Sequence, residues 1–323
     1  MAPLKFEPIL KTIVWGGEKI APYKGIVTDQ KHIGESWELS GVAGNESIVA
    51  EGPLKGRSIA SLVKEYKGEL VGEHVYLNTG DEFPLLIKFI DALTDLSIQV
   101  HPNDELAAAR HNGSKGKTEM WYVVAADEGA HLLSGLSKKI TPEEYAARVA
   151  DDSITDVLAR YDVHPGDVFF LPAGRIHAIC GGCFIAEIQQ TSNITYRIYD
   201  YGRPGLDGKP RELHTELAKD AIDYTVYPDY RTHYTPQQDE EQEVVSCPYF
   251  TTSIYDLTLP YAKDLSGIDS FMVVMCLEGS GTLEVDGEEV SVHQGETVLI
   301  PASADDICFV PDACMKVLTS YIK

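Results

Sequence analysis

The chain has 323 residues, 44% hydrophobic and 24% charged, a globular composition that excludes disordered, collagen-like and membrane-embedded classes. Fifty acidic residues against 27 basic ones give a formal net charge of −23, which repels nucleic-acid phosphates and anionic membrane surfaces alike. No apolar run approaches the ~20 residues of a membrane span and the N-terminus lacks a signal-peptide layout, so a soluble cytoplasmic protein is expected. An anionic substrate would need a local cluster of positive side chains.

In chain order the periodicity predicts a helix over 58–66 and strands over 73–77, 85–91 and 97–100. A helix over 104–111 and a strand over 119–125 follow. The helix predicted over 141–160 opens Thr141-Pro142-Glu143-Glu144, an N-cap, a Pro at N1 and an acidic first turn. Strands over 167–171 and 184–190, a helix over 213–224 and a strand over 271–277 complete the pattern. Many strands with few helices predict antiparallel barrels or sandwiches carrying helical insertions. The length suits two domains, and the polar run 236–243 is the best boundary, leaving 1–235 and 244–323 on either side.

An internal repeat supports two related units. Residues 166–178 read GDVFFLPAGRIHA and residues 295–307 read GETVLIPASADDI. In each copy a Gly admits a tight turn, an apolar strand fills a core, and a Pro ends it. The second copy has Asp306 where the first has His177, so only the first offers a metal ligand there. The six cysteines lie mostly in apolar strand contexts and read as buried reduced thiols, and Cys180-Gly-Gly-Cys183 lacks a second pair to complete a tetrahedral metal site.

Residues 166–177 carry the spacing G-x5-P-x-G-x2-H, which resembles the second metal motif of the cupin superfamily, whose jelly-roll barrel points that His inward. A packed or surface histidine is the bland alternative for His177 taken alone. In Leu96-Ser-Ile-Gln99-Val100-His101-Pro102, strand alternation places Gln99 and His101 on one face. Burying that pair without a partner is costly, and a metal ion satisfies both. Glu119, entering the next strand, adds a carboxylate. Gln99, His101, Glu119 and His177 make an N2O2 set that suits Zn²⁺ first, then Mn²⁺, Co²⁺ or Fe²⁺.

The strings WGG (15–17), GESWELS (34–40), LLIKFIDA (85–92), LSIQVHPND (96–104), GKTEMWY (116–122), LPAGRIHAI (171–179) and QQTSNITYRIYDYGR (189–203) resemble type I mannose-6-phosphate isomerases, above all the short bacterial form. Residues 244–323 resemble that family's degenerate second cupin domain. The resemblance implies a mainly β fold of two cupin-type jelly-roll domains with a few helical insertions. It implies one zinc ion per chain on Gln99, His101, Glu119 and His177, with Arg197 in the active site. The implied reaction interconverts mannose 6-phosphate and fructose 6-phosphate through a metal-stabilised cis-enediolate.

That chemistry needs positive side chains against developing charge. Arg197 has the fork for an oxyanion or phosphate, and Lys117 is a proton carrier or phosphate partner. Lys88, on an apolar strand, is a phosphate ligand or a snorkelling strand-edge residue. Glu38, Asp200 and Arg203 are further substrate-contact candidates, each with a structural alternative. Glu119, Lys117, Asp200 and a metal-bound water are all chemically able to remove the C2 proton. Two competing readings are another metal-dependent cupin enzyme, a sugar-phosphate isomerase or dioxygenase, and a non-catalytic sugar-binding cupin. The first usually draws on an HxH pair where this chain has Gln-Val-His. The second leaves the cations at the metal site without a purpose.

Overall fold

The computed structural model describes residues 1–323 as three antiparallel sheets with short helices between them. A seven-stranded sheet runs in the order Arg231–Thr232, Val168–Leu171, Glu119–Ala126, Cys183–Gln190, Leu85–Asp91, Ile33–Ser40, Ile9–Gly17. A five-stranded sheet faces it, in the order Tyr196–Tyr199, Ile98–Val100, His177–Ile179, His131–Leu136, Leu158–Asp162. Trp15, Ile90, Trp121, Phe169, Leu132 and Ile179 fill the space between them as one buried cluster. The third sheet, eight-stranded, holds the strands from Glu241–Ser246 to Asp306–Tyr321 around an apolar interior of its own.

Period-two alternation sorts the side chains. Leu85, Ile87 and Phe89, with Phe184, Ala186 and Ile188, face outward into the cluster that joins the seven-stranded sheet to the third sheet. Lys88 and Ile90, or Ile185 and Glu187, therefore face the barrel interior. In the third sheet Phe271, Val273, Met275 and Leu277 enter the joining cluster, whereas Met272, Val274 and Cys276 line that sheet's own core. The outer face of the five-stranded sheet is covered by the helices Pro142–Ala150 and Thr215–Ala221.

The repeat seen in sequence is a repeat in geometry. Gly166 and Gly295 both have positive φ, 94° and 83°. Asp167 and Glu296 each accept from the amide three residues earlier, His164 and His293, both at 2.9 Å. The backbone ties correspond as well, Gly166 to Val123 and Gly295 to Cys276, both at 2.8 Å. Glu119 pairs with Leu171, and in the second copy Met272 pairs with Ile300. The second barrel thus has an apolar residue at the place of Glu119 and the exposed Asp306 at that of His177.

Several expected elements differ. Residues 73–77 are not a strand but lie in the helix Glu73–Thr79, because the Asp269 carboxylate accepts from the Glu73 and His74 amides at 2.7 and 2.9 Å and so caps its start. The helix expected over 141–160 stops at Ala150, where Asp151 accepts from Ser153 and Asp152 turns to φ 61°. A short 3-10 turn and the strand Leu158–Asp162 follow. The polar run 236–243 is linker only in its first part. Glu241 already opens a strand, where Ser253 and Lys263 donate to its carboxylate at 2.9 and 2.5 Å. Leu4–Lys5 pairs with Leu299 and Val298, so the start of the chain is stitched into the second unit's sheet. All six cysteines are free, and no helix is long and apolar enough to cross a membrane.

Phe271 is fully buried at the joint, 4.7 Å from the Phe83 ring. Phe271→Ala is expected to cost about 3–5 kcal/mol, read as a shift of the urea unfolding midpoint.

Candidate active site and metal centre

Two cross-strand rows meet inside the first barrel. On the seven-stranded sheet the register aligns Trp37, Lys88, Glu187 and Trp121. On the five-stranded sheet it aligns Arg197, Gln99, His177 and Ser134. Glu119 enters two residues before Trp121 on the same strand, where it is opposite Gln189.

His101, Glu119 and His177, all buried, bring their ligand atoms within 4.8 Å of one another. His177 Nε2 lies 3.2 Å from Glu119 Oε1, and His101 Nε2 lies 3.5 Å from Glu119 Oε2. The Gln99 amide is 3.4 Å from His177 Nε2, which brings the fourth expected ligand to the cluster. Each imidazole is oriented from behind: His101 Nδ1 is 2.9 Å from the Ile194 carbonyl and His177 Nδ1 is 2.7 Å from that of Arg175. Donation through Nδ1–H leaves both Nε2 lone pairs aimed at Glu119, the arrangement of metal-ligating histidines. Burial, reinforced by Lys117, holds His101 well below its ordinary pKa; burial pushes His177 down to about 4. Both rings are therefore neutral at neutral pH. Burial and the nearby Glu187 raise the Glu119 carboxyl; its Oε1 is buried without a hydrogen-bond donor, and its Oε2 has only the Lys117 ammonium beside it. A buried carboxylate between two neutral imidazoles, with no donor at Oε1 and one ammonium 3.2 Å from Oε2, fits a divalent cation.

The cluster borders a cleft of about 370 Å³ lined by Glu35, Lys88, Gln99, Lys117, Glu187, Asn193, Arg197 and Arg211 among others. Lys117 Nζ is 3.2 Å from both His101 Nε2 and Glu119 Oε2. Lys88 is buried, not snorkelling: its ammonium is 3.0 Å from Glu187 and 3.7 Å from Glu35. Burial alone would lower the Lys88 pKa, but Glu187 and Glu35 outweigh it and hold it above the usual range. Glu187 is the converse case, with burial outweighed by Lys88 and Lys117 and its carboxyl held low. Trp121 Nε1 donates to its second oxygen at 2.8 Å. Arg197 donates to the Glu212 carbonyl at 3.0 Å and leaves its Nε buried without a partner. Burial and Arg211 pull its pKa down, yet a guanidinium stays protonated at any working pH.

Three expected substrate contacts lie elsewhere. Glu38 pairs with Lys24 at 2.6 Å and accepts from Ser36 at 2.5 Å, on the face of its strand that looks toward the second unit, where Lys24 also meets the Gly295 carbonyl. Asp200 is clamped between Arg203 and Arg211 at 2.9 and 2.6 Å, and neither Asp200 nor Arg203 lines the cleft. The sequence reading missed Glu35, Glu187, Asn193 and Arg211. For Glu187 a signal was available, an acid on an apolar strand at the same parity as the inward Ile185.

A barrel with a buried His-Glu-His cluster beside a cationic cleft, packed on a second barrel that lacks the cluster, defines a cupin-type metalloenzyme. Residues 4–147 match the family model described as phosphomannose isomerase type I, catalytic domain, and 240–312 the one described as mannose-6-phosphate isomerase, cupin domain. A Bacillus subtilis protein, mannose-6-phosphate isomerase ManA, is 34% identical over 302 residues, 93% of each chain. A mannose-6-phosphate isomerase of Streptococcus mutans is 32% identical over 320 residues, 99% of this chain and 98% of that one. The crystal structure of the mannose 6-phosphate isomerase from Bacillus subtilis aligns over 100% of both chains with a TM-score of 0.86 at 29% identity. The chain belongs to the type I mannose-6-phosphate isomerase family, with the expected two cupin-type barrels and helical insertions.

Lys88→Ala would strand Glu187 as an uncompensated buried charge and is expected to cost about 3–5 kcal/mol, measured by chemical denaturation. A loss under about 1 kcal/mol, the scale of an exposed pair, would contradict the buried assignment.

Proposed function

We propose that the protein interconverts mannose 6-phosphate and fructose 6-phosphate through a cis-enediolate. The observation that carries this reading is the buried Glu119 carboxylate, its Oε1 without a donor, between His101 and His177 at a cleft that also presents Lys88, Lys117, Arg197 and Arg211. Zinc is the metal proposed, one ion per chain, held by Gln99, His101, Glu119 and His177. When bound it supplies Lewis-acid stabilisation of negative charge on the sugar oxygens, without redox chemistry.

The remaining steps fall to the chain's own side chains. Arg197 projects from the strand beside Gln99 and offers its fork to the oxyanion as it develops. Lys117, held beside His101 and Glu119, carries a proton at the metal side of the cleft. The phosphate finds a local cationic surface despite the net charge of −23, and Asp200 acts at one remove by fixing Arg211. The second unit, with Met272 and Asp306 at the ligand positions, does no chemistry of its own. Six free cysteines and the family's metabolic substrate support a cytoplasmic location.

A coupled assay on mannose 6-phosphate tests the reading. Activity should vanish after dialysis against a chelator and return with zinc. Arg197→Ala should keep its fold and metal yet lose at least ~10²-fold in turnover, the scale of one preorganised donor. Arg197→Lys should recover only part, since it keeps the charge and loses the fork. Near-normal turnover in Arg197→Ala would remove this residue from the mechanism.

A further inference from the structure

Lys117 sits on a loop, not inside a strand, so something must fix it against the neighbouring metal ligands. The amides on both sides of it are held by side chains. Gly116 N–H donates to Asp104 Oδ1 at 2.7 Å, and Thr118 N–H donates to Gln190 Oε1 at 2.8 Å. The Lys117 amide itself reaches the Pro102 carbonyl at 3.1 Å. The two acceptors are joined to each other, because Gln190 Nε2 donates to Asp104 Oδ1 at 3.0 Å. The last oxygen in the chain, Asp104 Oδ2, accepts from Tyr249 OH at 2.8 Å. Tyr249 lies in the turn between Glu241–Ser246 and Thr251–Leu257, inside the second unit.

The segment has no slack to adopt another path. A Cβ at Gly116 would lie 2.6 Å from the Asn103 backbone, and Ser192 Oγ holds the Lys115 carbonyl at 3.0 Å. Thr118 and Gln190 are buried. Tyr249 is half-buried and borders, with Asp104, Lys115 and Gln190, a cleft of about 290 Å³. Water can therefore replace the Tyr249 hydroxyl there without opening the core.

We propose that Tyr249 of the second unit is a positioning residue for the first unit's active site, acting through Asp104 and Gln190 on the backbone that carries Lys117 and leads into Glu119. This rests on the isomerase reading of the site. It gives the metal-free barrel a role beyond covering an apolar face: its hydroxyl sets the carboxylate that sets the loop. Groups that orient a ligand or proton carrier from behind typically change metal affinity or activity by ~10–100-fold when removed.

The test compares Tyr249→Phe, Asp104→Asn and Asp104→Ala in the zinc-loaded full chain. Tyr249→Phe should lower kcat on mannose 6-phosphate by ~10-fold with KM, zinc content and melting temperature close to the parent. Asp104→Ala should lose more, and Asp104→Asn should recover most of it, since its side-chain oxygen still accepts from Gly116. The double variant Tyr249→Phe/Asp104→Ala should be no worse than Asp104→Ala, because both act through one chain of bonds. Hydrogen exchange of the amides at 116–118 should be faster in Tyr249→Phe whatever the substrate proves to be. That readout separates the two claims. A parent enzyme inactive on mannose 6-phosphate defeats the isomerase reading, whereas unchanged exchange and unchanged kcat in Tyr249→Phe overturn the positioning role. A rate loss that tracks a lowered melting temperature overturns it as well.

Discussion

The structure depends on compensating a group of charges inside a closed β-barrel. Strand alternation turns Lys88, Glu187 and Glu119 inward, and Lys117 joins them from the preceding loop. None of these could be buried singly, since an isolated ion in a low-dielectric interior costs several kcal/mol. Lys88 and Glu187 pair across neighbouring strands at 3.0 Å, and Trp121 donates to the remaining Glu187 oxygen. Glu119 keeps Oε1 without a donor and has the Lys117 ammonium 3.2 Å from Oε2, between two imidazoles whose Nε2 atoms point at it. A fold that tolerates such a carboxylate is organised around a cation. Trp15, Ile90 and Phe169 of one sheet and Leu132 of the other form the buried apolar cluster that fills the rest of the barrel interior.

The second barrel solves the same folding problem without the charges. Its turn at Gly295, its acidic cap and its strand Thr297–Ile300 reproduce the first copy bond for bond. With Met272 where Glu119 would stand, its interior closes as an apolar core. The opposite parity of the same strand, Val273 and Met275, packs against Ile87 and Phe89 of the first barrel. The two units are further tied by Leu4–Lys5, by the Asp269 cap on the helix Glu73–Thr79, and by Lys24 at the Gly295 carbonyl. One surface of the first barrel is thus built on the second copy.

The grouping of Gln99, His101, Glu119 and His177 was legible because it depends on local rules. Alternation alone puts Gln99 and His101 on one face, and the Gly-Pro-Gly spacing brings His177 to a strand start. Lys88 was ambiguous because its partner, Glu187, is nearly a hundred residues away, and only strand register reveals the pair. Arg211 was invisible for a related reason, since it is placed by a clamp on Asp200 from outside any regular element. Glu38 was a substrate-contact candidate because an acid between apolar neighbours does not reveal which face of the strand it takes. Glu38 shares the face of Ser36, whose register partner is the outward Phe89, and only strand pairing shows which face that is. The segment 73–77 failed through tertiary override: its β-branched and aromatic residues suit a strand, but a carboxylate from the other unit caps a helix there.

Anomalous diffraction at the zinc absorption edge tests the central claim most directly. The account predicts a single peak per chain, bounded by Gln99, His101, Glu119 and His177, and none in the barrel formed by 244–323. No peak at that position in zinc-loaded crystals, or a peak that persists there in His177→Ala at full occupancy, would contradict it.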